Sequence, residues 1–356
     1  MNVNIEYKYD YRKHYELKLP KDIWKNGKTG LINHGQICYF NSILQCLSHT
    51  LKLTDHLLSD QYSEKVRQQR ESTKRTFFTN YILLMLKIWD VNTTTTSKYL
   101  LKCFDYMTGT NHNLNIQRDS HEIFLKLLDI LNDCLSYPVK IKIKGNIRTE
   151  TDILYKKAYD AWVSYLDDKT SIIIKLFSGL TVKIITCKKC SYKSYKFTPF
   201  NSISLSLDNE YDNLLDILKH NFKNETVKDW KCEKCNKKGC TIESWIWEMP
   251  KYINFHFMRA IYEQKNTKDI IYPHVDFKLN DIICPYKNDK NNYIYDLYSV
   301  NYHVGNDSDS GHYFSICKDL QNEWYIFNDA NVSKLELENP PYSDSYILFY
   351  YRKFIK

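Results

Sequence analysis

Cys38, His312 and the adjacent pair Asn328–Asp329 are the residues whose types and spacing could do chemistry in this sequence. Cys38 closes a polar glycine turn, "NHGQIC", and opens an apolar run, "CYFNSILQCL", so it stands where a helix should begin. A helix N-terminus lowers a thiol's pKa and offers unpaired N–H groups to developing negative charge. The rival reading is packing, since free cysteines are among the residues most often buried. His312 follows a glycine and opens an aromatic strand, "GHYFSIC", the place for a general base at a strand edge. Seventeen residues on (312 to 329), "EWYIFND" ends in Asn328 and Asp329. A returning antiparallel strand could bring either within reach of the imidazole, to fix its tautomer and orientation for proton transfer from a thiol.

A second group is "CKKC" at Cys187 and Cys190 with "CEKC" at Cys232 and Cys235. Each pair offers two thiolates from one tight turn, and two pairs make a tetrahedral zinc site. The 41 residues between them (191 to 231) exceed the spacing of a compact zinc ribbon. Such a zinc would be structural, closed by four ligands. Cys240 is an extra thiol nearby, Cys46 lies deep in the helix that Cys38 opens and reads as core, and His34 is a loop residue of the preceding turn.

These residues need elements to position them. In "CYFNSILQCL", Phe40, Ile43, Leu44 and Leu47 fall at i, i+3, i+4 and i+7, a single apolar helix face. "FFTNYILLMLKIWD", "SHEIFLKLLDIL" and "YKKAYDAWVSYL" read as further helices, with Asp119 capping and Glu122 three residues later as in a capping box. From Leu176 onward the texture turns to strands: "SISLSL", "YINFHFM", "YDLYSVNYHV", "HYFSICK", "EWYIFND" and "YILFYYR". Helices first and strands second imply an α+β fold with a cleft where the halves meet. The partner of Cys38 should therefore come from the strands.

Composition narrows the class. The chain has 356 residues, 43% of them hydrophobic and 15% aromatic, enough for a large globular core. No apolar run approaches the roughly 20 residues of a membrane span, and the charged N-terminus has no signal-peptide core. We therefore expect a soluble, intracellular protein, in cytoplasm or nucleus, with reduced thiols: eleven cysteines is odd for a disulfide framework. The net charge of +8 is spread along the chain rather than gathered into a stripe, so nucleic acid is not the expected partner.

Taken in order, the motifs resemble a known family. "GLINHGQICYFNSILQCL" resembles the cysteine box of the ubiquitin-specific proteases, the papain-like cysteine deubiquitinases, and "QRDSHEIFLKLLDIL" is similar to their second signature segment. "YDLYSVNYHVGNDSDSGHYFSICKD", "EWYIFNDANV" and "YILFYYR" look like their histidine box and closing strands, and the likeness runs from about Gly30 to Arg352. It implies a papain-like α+β fold of helical thumb, β-sheet palm and zinc-ribbon fingers. Residues 1–26 would be a short N-terminal extension and 27–356 the catalytic domain, with the fingers around 177–248 and the thumb helices from Gly27 to about Leu166.

The resemblance also assigns roles. Cys38 falls on the nucleophile, His312 on the general base, Asn328 on the third triad member, and Asp329 on a polar neighbour that assists the histidine. A histidine at the place of His303 is common in the family and is not the base. Asn33 falls on the side chain of the oxyanion hole, where losing one donor typically costs about 3 kcal/mol. Asp119 and Glu122 fall where the family holds ubiquitin's extended tail, Leu-Arg-Gly-Gly, and "VGNDSDSG" falls on a loop that lies over it. Cys187, Cys190, Cys232 and Cys235 match the split four-cysteine zinc site of the fingers. The implied activity is thiol-dependent hydrolysis after ubiquitin's terminal glycine, by a monomer with one structural zinc and no catalytic cofactor. The alternatives are an impaired member that binds ubiquitin as a module and a protease for another ubiquitin-like modifier. Two departures stand out: Gln36-Ile37 replaces the usual Asn-Thr before the nucleophile, and Ala260 replaces a usual phenylalanine after Arg259.

Overall fold

The helix that begins at Cys38 is enclosed on every side. We describe the chain from a computed structural model, over residues 27–58, 71–90, 92–110, 116–143, 145–208, 210–261, 264–287, 289, 291–305 and 310–353. The N-terminal stretch 1–26 and the middle of "VGNDSDSG" lie outside the described residues. Helix α1 is Cys38–Ser48, and all eleven of its residues are buried, not only the apolar face that the periodicity picks out. Its polar side chains are satisfied inside: Gln45 Nε2 donates to Thr29 O at 2.8 Å and Ser48 Oγ to Gln45 O at 2.8 Å. Helices α2 (Leu51–Leu58), α3 (Ser72–Asp90), α4 (Lys98–Thr108) and α5 (Ser120–Leu135) surround it. Phe40, Ile43, Leu47, Phe77, Ile88, Phe104 and Phe124 share one core with Tyr313, Phe327 and Phe349 from the strands opposite.

Two three-residue strands in this helical half escape any periodicity. β1 (Gly30–Ile32) and β2 (Thr94–Thr96) pair in parallel, with Ile32 opposite Thr96. Short pairs β3 (Tyr137–Pro138) and β4 (Lys169–Thr170) follow, flanking helix α6 (Glu150–Leu166), with α7 (Ile172–Phe177) next. A capping box stands at α6: Thr149 Oγ1 accepts from Asp152 N at 3.1 Å, and Asp152 Oδ2 accepts from Thr149 N at 2.9 Å. At α5 the expected box is absent, because Asp119 caps through His121 N (2.7 Å) while Glu122 pairs with Lys126 (2.6 Å). Helix α6 also departs from the expected thumb, since Leu154 and Ala158 pack on Val182, Ile184 and Trp247 of a separate four-stranded sheet.

That sheet has the order β6-β5-β9-β8, from β5 (Gly179–Cys187), β6 (Lys193–Phe200), β8 (Glu225–Lys231) and β9 (Lys238–Glu248). Between β6 and β8 come β7 (Ile203–Ser206) and helix α8 (Leu214–Asn221). The remaining strands are β10 (Tyr252–Met258), β11 (Ala260–Ile261), β12 (Gln264–Lys265), β13 (Phe277–Lys278), β14 (Ile294–Val304), β15 (His312–Lys318), β16 (Trp324–Asn328), β17 (Asn331–Lys334) and β18 (Ser345–Arg352). The large sheet runs β17-β16-β15-β14-β18-β10-β7, with β13 beside β14. One face meets α1. The other is covered by α8 and the chain around Tyr272 and Phe277, over Val300, Leu348 and Tyr350. A mixed sheet buried on both faces explains why β10 and β18 read as nearly continuous apolar runs.

Candidate active site

Cys38 is the first residue of α1, where backbone N–H groups lack intrahelical acceptors, and only 3% of it is exposed. Strand β15 carries His312 at its start, and β16, antiparallel to β15, ends at Asn328. The long core strands hold these ends in register, so the two sequence-distant residues meet: His312 Nε2 lies 2.7 Å from Asn328 Oδ1. Asp329 Oδ2 is farther from the same nitrogen, at 3.9 Å. His312 is raised from 6.5 to about 9, first by hydrogen bonding with the Cys38 side chain, against desolvation, and then by Asn328 and Asp329. The imidazole is therefore poised to carry a proton beside the Cys38 sulfur, with the Asn328 amide oxygen accepting at Nε2.

Asn33 is hydrogen-bonded to the residue just before the thiol and to Asp329. Its Oδ1 accepts from Ile37 N at 3.1 Å and its Nδ2 donates to Asp329 Oδ2 at 2.9 Å. Its amide is thus locked beside the N-terminus of α1. One residue that sequence reasoning passed over joins the group: Gln117 Nε2 is 3.7 Å from Cys38 Sγ and donates to Gly311 O at 2.8 Å. Its signal was its place two residues before the cap of α5, inside the second motif. Asp119 and Glu122 stay apart from the thiol. Asp119 is occupied with its cap, and Glu122 with Lys126 on the surface. His303 stacks on Tyr313, centroids 4.3 Å apart, and desolvation lowers it to about 4, so it stays neutral. His34 is exposed and pairs with Thr96 Oγ1 at 2.8 Å; Cys46 is fully buried.

The four cysteines converge at the tip of the smaller sheet. Both turns have one geometry: Ser191 N donates to Cys187 O (3.0 Å) and Asn236 N to Cys232 O (2.8 Å), with Ser191 and Asn236 at φ +56° and +58°. Cys187 Sγ lies 3.7 Å from Cys235 Sγ, and Cys190 Sγ lies 3.7 Å from Cys232 Sγ. All four sulfurs are within 4.8 Å of one another. Tetrahedral zinc with Zn–S bonds of about 2.3 Å separates its sulfurs by about 3.8 Å, so the set fits that ion. Lys189 N donates to Cys187 Sγ at 3.4 Å, and that bond is the largest cause lowering this thiol to about 6. Cys240 sits opposite Cys187 in the β5–β9 ladder, outside the cluster.

A thiol at a helix start, an imidazole on a strand and a carboxamide behind it form the constellation of a papain-like thiol hydrolase. The sequence profile of the ubiquitin carboxyl-terminal hydrolases matches residues 29–350, and the chain belongs to that family. Ubiquitin carboxyl-terminal hydrolase Usp2 of Drosophila melanogaster is 31% identical over 346 residues, covering 93% of this chain and 36% of the relative. Ubiquitin carboxyl-terminal hydrolase 2 of Homo sapiens is 29% identical over 342 residues, covering 91% of this chain and 55% of the relative. This chain thus spans a third to about half of these curated relatives. Among solved structures, the SAGA DUB module of Ubp8, Sgf11, Sus1 and Sgf73 bound to monoubiquitin matches with a TM-score of 0.73 at 22% identity, over 97% of this chain and 73% of that one. That likeness establishes the mixed α+β fold of this family. No helix among the described residues is long and apolar enough to cross a membrane.

Proposed function

We propose that this chain is a thiol-dependent deubiquitinase that hydrolyses the isopeptide or peptide bond after ubiquitin's C-terminal glycine. The observation that carries the reading is the meeting of Cys38, His312 and Asn328 from three separate elements in a member of this family. In the reaction, the Cys38 thiolate attacks the glycine carbonyl and the C–N bond breaks as His312 protonates the leaving amine. His312 then takes a proton from water, whose oxygen attacks the thioester and expels the Cys38 thiolate, and the new carboxyl group of ubiquitin gives its proton to solvent. Asn33 Nδ2 and the N–H of Cys38 receive the charge on the carbonyl oxygen. Asp119 and Glu122 hold the arginine and main chain of the tail, Glu122 by giving up its pairing with Lys126.

The catalytic domain on this reading is 27–356, with the four-cysteine sheet as fingers, and the protein works inside the cell on ubiquitin and ubiquitinated proteins. Cys187, Cys190, Cys232 and Cys235 hold a structural zinc that ties the two turns of the fingers together. The test is reaction with ubiquitin carrying a thiol-reactive group at its C-terminus, with wild type and Cys38→Ala side by side and the adduct mapped by mass spectrometry. An adduct at Cys38, absent from the variant, is expected. A wild type that stays unlabelled would overturn the assignment.

A further inference from the structure

Ser97 is the N-cap residue of α4, yet its side chain caps nothing. A serine at that place ordinarily accepts from the backbone N–H of the second or third helical residue. Here the hydroxyl, fully buried, instead donates to Asn41 Oδ1 at 2.6 Å. That bond decides which way the Asn41 amide faces. With Oδ1 taken by a donor, Nδ2 is turned to Asp329 Oδ1 at 2.8 Å and to Leu31 O at 3.1 Å. The second oxygen of Asp329 accepts from Asn33 Nδ2 at 2.9 Å, closer than it comes to His312. The backbone reinforces the arrangement, since the parallel pairing of Ile32 with Thr96 puts Asn33 and Ser97 next along their two chains.

We propose that Ser97 and Asn41 are positioning residues that set the oxyanion-hole amide of Asn33 through the carboxylate of Asp329. The proposal rests on the functional reading above and deepens it. Each Nδ2 carries two hydrogens. Asp329 fixes one of those on Asn33, and the plane of the amide then aims the other past the start of α1. Ser97 sets the far end of this line and touches neither substrate nor thiol. Its loss should act on charge developing at the carbonyl oxygen while leaving the Cys38–His312 pair intact.

The experiment compares wild type, Ser97→Ala and Ser97→Thr with a fluorogenic ubiquitin substrate, with ubiquitin aldehyde as inhibitor, and with iodoacetamide, whose reaction at Cys38 develops no oxyanion. Ser97→Ala is expected to lower kcat about tenfold with KM little changed, and to weaken the aldehyde by a similar factor. Alkylation of Cys38 should keep its rate and pH profile, and Ser97→Thr, which retains the hydroxyl, should recover kcat. In an Asn33→Ala background the Ser97 substitution should add nothing. Wild-type kinetics in Ser97→Ala, parallel loss of alkylation, or losses that multiply in the double variant would each overturn the proposal. Ser97→Cys, near in volume and a weak donor, carries the same expectation if the alanine variant fails to fold. If wild type does not act on ubiquitin, the functional reading fails and the proposal is read by NMR. The side-chain amide signals of Asn33, identified by their loss in Asn33→Ala, should shift in Ser97→Ala, and unchanged signals would overturn it.

Discussion

Gln117 Nε2 donates to Gly311 O at 2.8 Å across the face of the site, with Cys38 Sγ 3.7 Å from the same nitrogen. The segment that leads into α5 is thereby fastened to the residue just before His312. One wall of the thiol and the start of the strand that carries its base therefore move as one piece. The same amide nitrogen thus stands within reach of both the sulfur and the strand that carries His312.

Removing that amide should loosen both partners. Gln117→Ala is expected to lower kcat/KM about tenfold, the scale of small misplacements in a site. Gln117→Glu should do worse, since a carboxylate would face both Gly311 O and the thiolate. Steady-state kinetics on a fluorogenic ubiquitin substrate decide the matter, and wild-type values in both variants would remove Gln117 from the site.

The proton on His312 sets a pH window. Its folded pKa, about 9, lies above the ordinary 6.5, so the charged form is favoured by folding. Stability gained this way is fully present below 6.5 and is lost as pH rises through about 9. The leaving amine needs the same proton, so kcat/KM should fall on the alkaline side with a midpoint near 9. The first cause is Cys38, so an NMR titration of His312 should move down toward 6.5 in Cys38→Ala. An unmoved titration would mean that the thiol is not what holds the proton.

Much of this arrangement was legible in the residues. Cys38 at a helix start, His312 at a strand start and Asn328 at a strand end are local signals, and each element forms where its pattern says. The relay behind them was not legible. Ser97 and Asn41 are ordinary polar residues whose meeting depends on β1 and β2, strands too short to have a period. Gln117 had motif context but no chemistry of its own until the fold placed it beside the sulfur. At α5 the spacing of Asp119 and Glu122 fits a capping box, but Lys126, one turn on, offers Glu122 a charged partner instead. The burial of Asn41 and Gln45 inside α1 follows from tertiary contacts that periodicity cannot report.

Zinc should matter to the fingers before it matters to the thiol. With zinc held there as proposed, stripping it with a chelator should leave four thiols crowded within 4.8 Å and release the cross-link between the turns at Cys187 and Cys232. Faster amide exchange is expected across β5, β8 and β9, with α1 and β15 little affected. Metal analysis should give about one zinc per folded chain, and Cys232→Ser should lower that occupancy. Freshly folded protein without zinc would refute the site.

Gly30→Ala tests how the backbone next to Asp329 is held. A Cβ at Gly30 would stand 2.2 Å from Ala330 O and 2.8 Å from Ala330 Cα, contacts no side-chain motion can relieve. The two chains must separate, although Leu31 N now donates to Asp329 O at 2.8 Å. Overpacking of this kind costs about 1–3 kcal/mol. Here it should also lower kcat, because Asp329 directs Asn33. Gly109→Ala is the control: it sits at φ +63°, where an added Cβ would meet nothing within 4 Å, so it should cost about 1–2 kcal/mol of strain and leave kcat alone. Denaturation midpoints and kcat measured on both variants separate the effects. Equal stability losses with kcat falling only in Gly30→Ala would tie the activity to the Asp329 backbone, and unchanged kcat in both would break that link.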